Sequence, residues 1–150
     1  MDTTSLIIGV GFLAICILPF IYIRTVNRKK EQTFKNTFVA KAAELGIQLA
    51  EFETWSMRYA IGMDAHKSTL LYFNAEKDTW TTIDLSSFSS ASIIRKDKKT
   101  IEDDTVIDAL FLDINCKGTT TTLEFYNSHI SYGLNDELKI IEKWLKLLAK

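Results

Sequence analysis

The chain has 150 residues, of which 47% are hydrophobic and 25% are charged, and its formal net charge is −1 at pH 7. This length allows one domain of ordinary size and a short additional segment. The charge is unevenly divided: residues 24–46 carry six basic residues against two acidic ones, and residues 47–150 carry twelve against sixteen. Nucleic-acid-binding domains concentrate cationic surface to neutralise phosphates, so we expect no nucleic-acid partner.

Two features of the composition are compatible with a cytosolic domain. The two cysteines, Cys16 and Cys116, are a hundred residues apart, whereas a secreted disulfide scaffold has an even, spaced set within the domain. The sequence also contains no Asn-x-Ser/Thr glycosylation site.

Residues 6–23 form an uncharged and strongly apolar run. Eighteen residues in a helix span about 27 Å, which is close to the hydrocarbon thickness of a bilayer. Pro19 removes one helical hydrogen bond near the end of the run, which bilayers tolerate, and Tyr22 suits the interface. We therefore predict a transmembrane helix at residues 6–23 and a short extracytoplasmic N-terminus at residues 1–5.

Three alternatives for this run fit less well. A cleaved signal peptide has a basic start and small residues at its cleavage site, whereas residues 1–5 include Asp2 and the run ends in bulky residues. A lipoprotein signal would place a small residue before Cys16, where Ile15 stands. A buried core helix is not normally apolar on every face.

A basic cluster follows the apolar run at once and comprises Arg24, Arg28, Lys29 and Lys30. Because Lys and Arg favour the cytoplasmic side of a spanning helix, these residues predict the orientation. We expect a single-pass protein of the inner cell membrane, with its N-terminus outside and its C-terminal domain in the cytosol. Attraction of anionic lipid by the same cluster adds little to a segment that is already tethered.

Residues 24–46 combine this basic juxtamembrane cluster with an amphipathic helix over residues 31–45. Its apolar residues Phe34, Phe38, Ala42 and Leu45 recur at helical spacing, and Gly46 is a natural C-cap. We expect this face to pack on the domain; a dimer seam is the alternative.

From residue 47 the apolar period changes to two, which indicates strands. The predicted strands are Ile47–Phe52, Met57–Met63, Ser68–Asn74, Trp80–Leu85, Ala91–Lys96, Val106–Ile114 and Thr119–Asn127. Their short connections favour antiparallel neighbours, because parallel crossovers need a dozen or more residues. Residues 96–104 are predicted to form a charged, solvated loop.

The chain closes with a predicted amphipathic helix. Asn135 is the expected N-cap, acidic residues fill the first turn, and lysines crowd the end, which suits the helix dipole. The predicted apolar stripe consists of Leu138, Ile141, Leu145 and Leu148, with Trp144 beside it.

Six or seven antiparallel strands followed by one amphipathic helix resemble the pleckstrin-homology-like (PH-like) domains, in particular the small membrane-anchored ones of bacteria. The resemblance covers residues 47–150. It is carried by Arg58–Asp64 and Leu70–Phe73, as a first hairpin, and by the helix Leu138–Leu148. It implies an α+β fold in which a bent antiparallel sheet or barrel is capped at one end by the helix. A helix over an open antiparallel sheet is the alternative.

The resemblance implies binding rather than catalysis. Lipid-binding members use paired basic residues at the first hairpin loop, but here Asp64–Lys67 offers one lysine beside an aspartate, so we expect no specific phosphoinositide binding. Peptide-binding relatives add an extended strand to a sheet edge, which needs only backbone groups and side-chain pockets.

No catalytic, cofactor-binding or metal-binding motif is present. The histidines His66 and His129 stand far apart, whereas zinc sites have clustered Cys and His, and Glu102–Asp104 lack the alternation of a calcium loop. Trp55 and Trp80 are expected in the core; if exposed, they would mark a partner surface. The sequence thus predicts a membrane-tethered interaction or scaffold module that binds a protein partner or itself. The alternative is a subunit of a membrane enzyme complex whose site is shared with a partner.

Overall fold

A computed structural model describes the backbone of residues 3–149, and the side chains of residue 13 and of residues 15–149. These residues form two α-helices and seven strands. The elements are α1 (Thr3–Glu44), β1 (Leu49–Trp55), β2 (Tyr59–Asp64), β3 (Thr69–Asn74), β4 (Thr79–Asp84), β5 (Phe88–Lys99), β6 (Thr105–Cys116), β7 (Thr119–Asn127) and α2 (Glu137–Leu148). The predicted α+β class is confirmed. The chain divides into two compact units, Met1–Thr37 and Phe38–Lys150.

The predicted spanning segment, residues 6–23, lies partly outside the described side chains, because it includes residues 6–12 and 14. Over the described part, no helix has the length and apolar character needed to cross a bilayer. The predicted N-terminal segment, residues 1–5, also lies outside the described side chains.

The strands form two antiparallel sheets. The first contains four strands in the order β1-β2-β3-β4, and the second contains three in the order β5-β6-β7. A short 3₁₀ helix, Leu85–Ser87, separates the sheets, and Asp84 starts it by accepting a hydrogen bond from the Ser86 N–H at 2.9 Å. Over the described residues every strand pairing falls within one of these sheets, so no closed barrel is formed.

All seven predicted strands are present, but several boundaries were wrong. β1 is Leu49–Trp55 rather than Ile47–Phe52, and β5 begins at Phe88 rather than Ala91. Residues 96–99 belong to β5 rather than to a loop: β5 pairs with β6 as far as Lys99 opposite Thr105. Both faces of this stretch are exposed, so charged side chains stand on either side of the strand and no alternation marks it. Met57 does not begin a strand, because Ser56 and Met57 have φ angles of 54° and 51° and form the β1–β2 turn.

One apolar core joins both sheets and α2. Its largest fully buried side chains include Trp144, Tyr59 and Phe125, one from α2 and one from each sheet. Trp144 therefore lies at the centre of the buried face of α2 and not beside it. Ile140, Ile141 and Leu148 are buried with it, whereas Leu138 and Leu145 of the predicted stripe are only partly buried.

The start of α2 also differs from the prediction. Asp136, not Asn135, is the N-cap residue, and its side chain makes no capping hydrogen bond. The Asn135 N–H instead donates to Glu137 Oε2 at 2.6 Å. The Glu137 carboxylate thus satisfies a backbone donor that precedes the helix. In a capping box the corresponding side chain comes from the third helical residue, whereas Glu137 is the first residue of α2.

The last turns of α1 pack on the outer face of the four-stranded sheet. Phe38 and Ala42 are buried, and the Phe38 ring lies 5.9 Å from that of Trp80 and 6.4 Å from that of Phe52. Gly46, at φ 74°, ends the helix: the N–H groups of Gly46 and Ile47 donate to the carbonyls of Ala43 and Ala42, which is a Schellman motif. The predicted C-cap is confirmed. Of the predicted apolar face, Phe38 and Ala42 pack on the sheet, whereas Leu45 is 47% exposed.

This packing depends on Gly62 of β2. A Cβ at Gly62 would lie 2.7 Å from Leu49 Cδ2, 3.0 Å from Phe52 Cβ and 3.1 Å from Phe38 Cε1. Gly62→Ala should therefore lower the free energy of unfolding by about 1–3 kcal/mol through overpacking, measured by chemical denaturation. Gly133→Ala is the matched control, because a Cβ there has nothing within 4 Å. Equal stability of the two variants would show that the helix can move aside at no cost.

Candidate functional site

A cleft of about 720 Å³ lies between β1 and the start of α2. One wall is the end of the edge strand β1, which pairs with β2 alone, and the other is the first two turns of α2. Its lining residues are Glu53, Thr54, Trp55, Ser56, Asn135, Asp136, Glu137, Lys139, Ile140 and Lys143. The cleft therefore combines a sheet edge with carboxylate and ammonium groups.

Glu137 forms the inner end of the cleft and is 3% exposed. Its Oε1 accepts the Ser56 hydroxyl at 2.9 Å and its Oε2 accepts the Asn135 N–H at 2.6 Å. A buried carboxylate must be hydrogen-bonded to remain in place, and these two donors come from both sides of the cleft. Glu137 thus ties the β1–β2 turn to the start of α2.

Glu53 stands at the outer part of the cleft. Its Oε2 accepts hydrogen bonds from Lys143 Nζ at 3.0 Å and from Trp144 Nε1 at 3.3 Å. The Trp144 indole is buried in the core and needs an acceptor, which this carboxylate supplies. Glu53 therefore accepts a hydrogen bond from a core residue. Its ion pair with Lys143 lies at the surface, because half of the Lys143 side chain is exposed.

The β1–β2 turn at the cleft is conformationally costly. Both central residues, Ser56 and Met57, have positive φ, and the Arg58 N–H donates to the Trp55 carbonyl at 3.2 Å. Such turns favour Gly or Asn at these positions, because Cβ disfavours the left-handed region. The hydrogen bond of Ser56 to Glu137 holds the turn in this form.

Met57→Gly should relieve this cost. Met57 is 44% exposed, so its removal sacrifices little packing, and we expect the free energy of unfolding to rise by about 1 kcal/mol. Met57→Ala removes the same side chain but keeps the Cβ, and serves as control without a gain. The test is chemical denaturation of both variants; equal stability of the two would mean that the turn is not strained.

Trp55 lies in the core and does not form a partner surface. It is 7% exposed, its Nε1 donates to the Phe125 carbonyl at 2.9 Å, and its ring stacks on that of Phe125 at 4.8 Å. Its backbone reaches the cleft, but its indole links the two sheets. The expectation that Trp55 belongs to the core is confirmed.

Trp80 lies on the outer face of the four-stranded sheet and is partly exposed. Its ring stacks on Phe73 at 4.0 Å and on Phe38 at 5.9 Å. This position makes Trp80 part of the contact that holds the end of α1 to the sheet, which leaves only its rim for a partner.

The predicted orienting residues Arg24, Arg28, Lys29 and Lys30 all lie on α1 and are exposed. The β2–β3 turn, in contrast, carries little free charge. Both carboxylate oxygens of Asp64 accept hydrogen bonds from Ser68, and Lys67 Nζ lies 3.4 Å from the Leu147 carbonyl at the end of α2.

A buried polar cluster lies apart from the cleft and centres on Glu124, which is 6% exposed. Glu124 Oε1 accepts the Tyr59 hydroxyl at 3.0 Å and the Asn74 amide at 3.4 Å. Its Oε2 accepts Lys77 Nζ at 3.2 Å and the Asn127 amide at 3.4 Å. Because its partners come from both sheets, the cluster joins the four-stranded sheet to β7.

The cluster raises the pKa of two tyrosines. Burial, followed by the charge and hydrogen bond of Glu124, raises the pKa of Tyr59 well above its usual value. Burial, followed by the neighbouring Tyr59, raises the pKa of Tyr72 in the same way. The Tyr72 hydroxyl donates a hydrogen bond to the Glu124 carbonyl. The unfolded chain loses these protons near pH 10 and the folded chain keeps them. Stability should therefore be unaffected below about pH 10 and fall as the pH rises above it.

Denaturation at a series of alkaline pH values tests this expectation, and Tyr59→Phe should reduce the slope. Tyrosinate absorbance follows the ionisation of the five tyrosines. If all five ionise together while the protein is still folded, the expected loss of stability at alkaline pH is contradicted.

The remaining sequence candidates do not form a site. Cys116 is partly buried, and burial together with Asp84 raises the pKa of its thiol. Glu102–Asp104 are exposed in the β5–β6 turn. In the part of the chain that the structure describes, no three His, Cys, Asp or Glu side chains are grouped so that they could hold a metal ion.

No family model, curated protein or solved structure matches the chain.

Sequence reasoning missed Glu53, Glu137 and Glu124. Glu137 was assigned to the first turn of the last helix, and Glu53 lay beyond the predicted end of the first strand at Phe52. A signal existed for Glu124, because it is the one charged residue in the apolar run Leu123–Tyr126. A charge in such a run is either on the solvent face or buried with partners, and only the fold decides between them.

Proposed function

We propose that the chain is a membrane-tethered interaction module, in which residues 6–23 span the bilayer and a PH-like domain binds a protein partner or a second copy. The tether is supported by the uncharged run of eighteen residues, and its orientation by Arg24, Arg28, Lys29 and Lys30. The domain is then cytosolic, and the membrane is the inner cell membrane.

The order of the elements supports a PH-like domain. A four-stranded antiparallel sheet is followed by a three-stranded one and by a C-terminal helix, and α2 buries Trp144 in the core that both sheets share. In PH-like domains a helix covers one end of such a pair of sheets, and the burial of Trp144 supports this role for α2.

The observation that carries the proposed binding function is the cleft between β1 and α2. It places the free side of an edge strand next to a helix, and an extended segment can pair with such an edge through backbone hydrogen bonds. The exposed ammonium groups of Lys139 and Lys143 line the cleft and can select the side chains of the partner.

A photoreactive residue in the cleft tests partner binding. With the full chain in its native membrane, a cross-linker at Lys139 should give an adduct of defined mass, because Lys139 lines the cleft and is exposed. The same cross-linker at Ser92, an exposed residue of β5, is the matched control. Adducts of equal yield at both positions, or at neither, would oppose binding at the cleft.

Thiol labelling tests the topology. His66→Cys places a thiol in the exposed β2–β3 turn and is a better reporter than Cys116, whose pKa is raised by burial. A reagent that cannot cross membranes should label it only after the cells are opened. Labelling in intact cells would reverse the orientation.

The negative prediction on phosphoinositides remains part of the proposal. The β2–β3 turn offers Lys67 alone, and its Nζ lies beside the carbonyl end of α2. Saturable, headgroup-specific binding of residues 38–150 to phosphoinositide vesicles at physiological salt would overturn it.

A further inference from the structure

The edge of β1 directs backbone groups into the cleft. The Arg58 carbonyl accepts the Ala75 N–H at 2.7 Å, so every second residue of β2, counted from Arg58, bonds to β3 and the others bond to β1. One of these others, Ile61, is the partner of Glu53. The next residue of β1, Thr54, therefore points its N–H and C=O to the outer edge of the sheet, where it lines the cleft.

Two carboxylates accompany this edge. Glu51 and Glu53 are alternate residues of β1 and share one face of the strand. Glu51 is exposed, and the Glu53 side chain is 30% exposed. Lys143 and Trp144 both donate to Oε2 of Glu53, so over the described residues its Oε1 stays open to another donor. Two β1 strands would oppose like charges if they paired, which makes β1 of a second copy a poor occupant.

The charge of the cleft favours a basic strand. Three carboxylates and two ammonium groups line it. Both ammonium groups are already paired, Lys139 with Asp136 at 3.1 Å and Lys143 with Glu53 at 3.0 Å. Glu51 adds a further negative charge on the same strand.

A basic edge strand is present in the chain itself. β5 lies at the edge of the three-stranded sheet, and its residues 95–99 are exposed. These five residues comprise four basic residues and one acidic residue. This end of β5 can therefore serve as a ligand for an acidic sheet edge.

The backbone of β5 is oriented for such a contact. The Thr100 N–H donates to the Asp104 carbonyl at 2.8 Å, so Lys98 and Lys96, counted back two residues at a time, bond to β6. Arg95, which precedes Lys96, therefore directs its N–H and C=O to the open edge. The side chains of Lys96 and Lys98 share one face, at the same spacing as the two carboxylates of β1.

We infer that the cleft receives β5 of a second copy of this chain, added antiparallel to β1 with Lys96 opposite Glu53 and Lys98 opposite Glu51. The inference rests on the proposed binding function of the cleft and names its partner. Side chains opposite each other in an antiparallel pair have Cβ atoms about 5 Å apart, and opposite charges there stabilise the pair.

The backbone fits the same register. Thr54 then lies opposite Arg95, and each residue directs its N–H and C=O at the other, as a hydrogen-bonded pair requires. A slip of one residue in either direction would place Asp97 opposite Glu51 or Glu53 and would break this backbone match. The charges therefore define a single register.

The present contacts of the two lysines are weak enough to be exchanged. Lys98 pairs with Asp108 at 3.0 Å, but 44% of the Lys98 side chain is exposed. Lys96 Nζ lies 5.2 Å from the centre of the Phe111 ring and is exposed. Exposed ion pairs contribute little to stability, so both lysines can turn to a carboxylate of another copy.

Disulfide cross-linking of the full chain in its native membrane tests the register. Two differently tagged copies are co-expressed with Cys16→Ser and Cys116→Ser as background. One copy carries Glu51→Cys and the other carries Lys98→Cys. We expect mild oxidation to link them several-fold more efficiently than Glu51→Cys and Ser92→Cys, which is also exposed on β5.

Charge reversal tests the recognition. Lys96→Glu in the copy with Lys98→Cys should lower the yield several-fold, and Glu53→Lys in the other copy should restore it. Lys117→Glu reverses an exposed lysine of the β6–β7 turn and should have no effect. Glu53→Gln keeps an oxygen for the Trp144 N–H and should lower the yield with native Lys96, so the result does not depend on the folding of Glu53→Lys.

The contrary results separate this inference from the proposed function. Equal yields with Lys98→Cys and Ser92→Cys overturn the inference, and so do equal effects of Lys96→Glu and Lys117→Glu. If the cross-linker at Lys139 then gives an adduct whose mass is not that of two copies, the cleft binds a different protein and the proposed function stands. If neither the disulfide nor that adduct forms, both are overturned.

Discussion

Trp144→Ala should lower the free energy of unfolding of the unit Phe38–Lys150 by about 3–5 kcal/mol. The indole is fully buried in the core that α2 shares with both sheets. Its removal leaves a cavity, because the surrounding side chains relax only partly into the space. The substitution also removes the N–H that Glu53 accepts. Chemical denaturation followed by circular dichroism measures the change.

Glu142→Ala is the matched control on the same helix. Glu142 is exposed, and alanine is at least as good a helix former, so the stability should change by less than about 0.5 kcal/mol. A loss in the control as large as that of Trp144→Ala would mean that the helix, rather than its buried face, sets the stability.

Removal of α2 extends the same argument. A chain that stops at Leu134 would lack Ile140, Ile141, Trp144 and Leu148, which are buried in the core that both sheets share. We expect a fragment that aggregates or has no cooperative transition. A compact, cooperatively unfolding fragment would show that α2 is a detachable arm.

The strands were predictable because their apolar residues alternate. Leu110, Leu112 and Ile114 of β6 are all fully buried, as period two requires. The ends of the strands were harder to predict. The last residues of β5 are charged and exposed on both faces, and only their pairing with β6 identifies them as part of a strand. Pairing is a long-range property, and local sequence carries little of it.

The division into two sheets was not predictable from the same pattern. Only the three residues Leu85–Ser87 separate β4 from β5, and Leu85 is apolar and buried like a strand residue. In the same way, the cleft arises from β1 and α2, which lie about eighty residues apart in the chain. Side chains such as Ser56 and Glu137 acquire a shared role only when the fold brings them together.

Glu124→Ala is expected to have the second large effect, about 3 kcal/mol of lost stability. The substitution removes the acceptor of the Tyr59 hydroxyl, which is buried, and of the Asn74 amide, which is also buried. Buried donors without a partner cost about 1–3 kcal/mol each. The lost ion pair with Lys77 adds little to this cost, because Lys77 is largely exposed.

A double-mutant cycle separates this cost from the loss of the side chain itself. Tyr59→Phe in the Glu124→Ala background removes the orphaned hydroxyl, so the double variant should be more stable than Glu124→Ala alone by about 1 kcal/mol. In the native background the same change should destabilise, because it deprives Glu124 of a donor and leaves the carboxylate with fewer partners. The sign of the effect of Tyr59→Phe thus depends on whether Glu124 is present. If it destabilises equally in both backgrounds, the Tyr59 hydroxyl contributes to stability independently of Glu124.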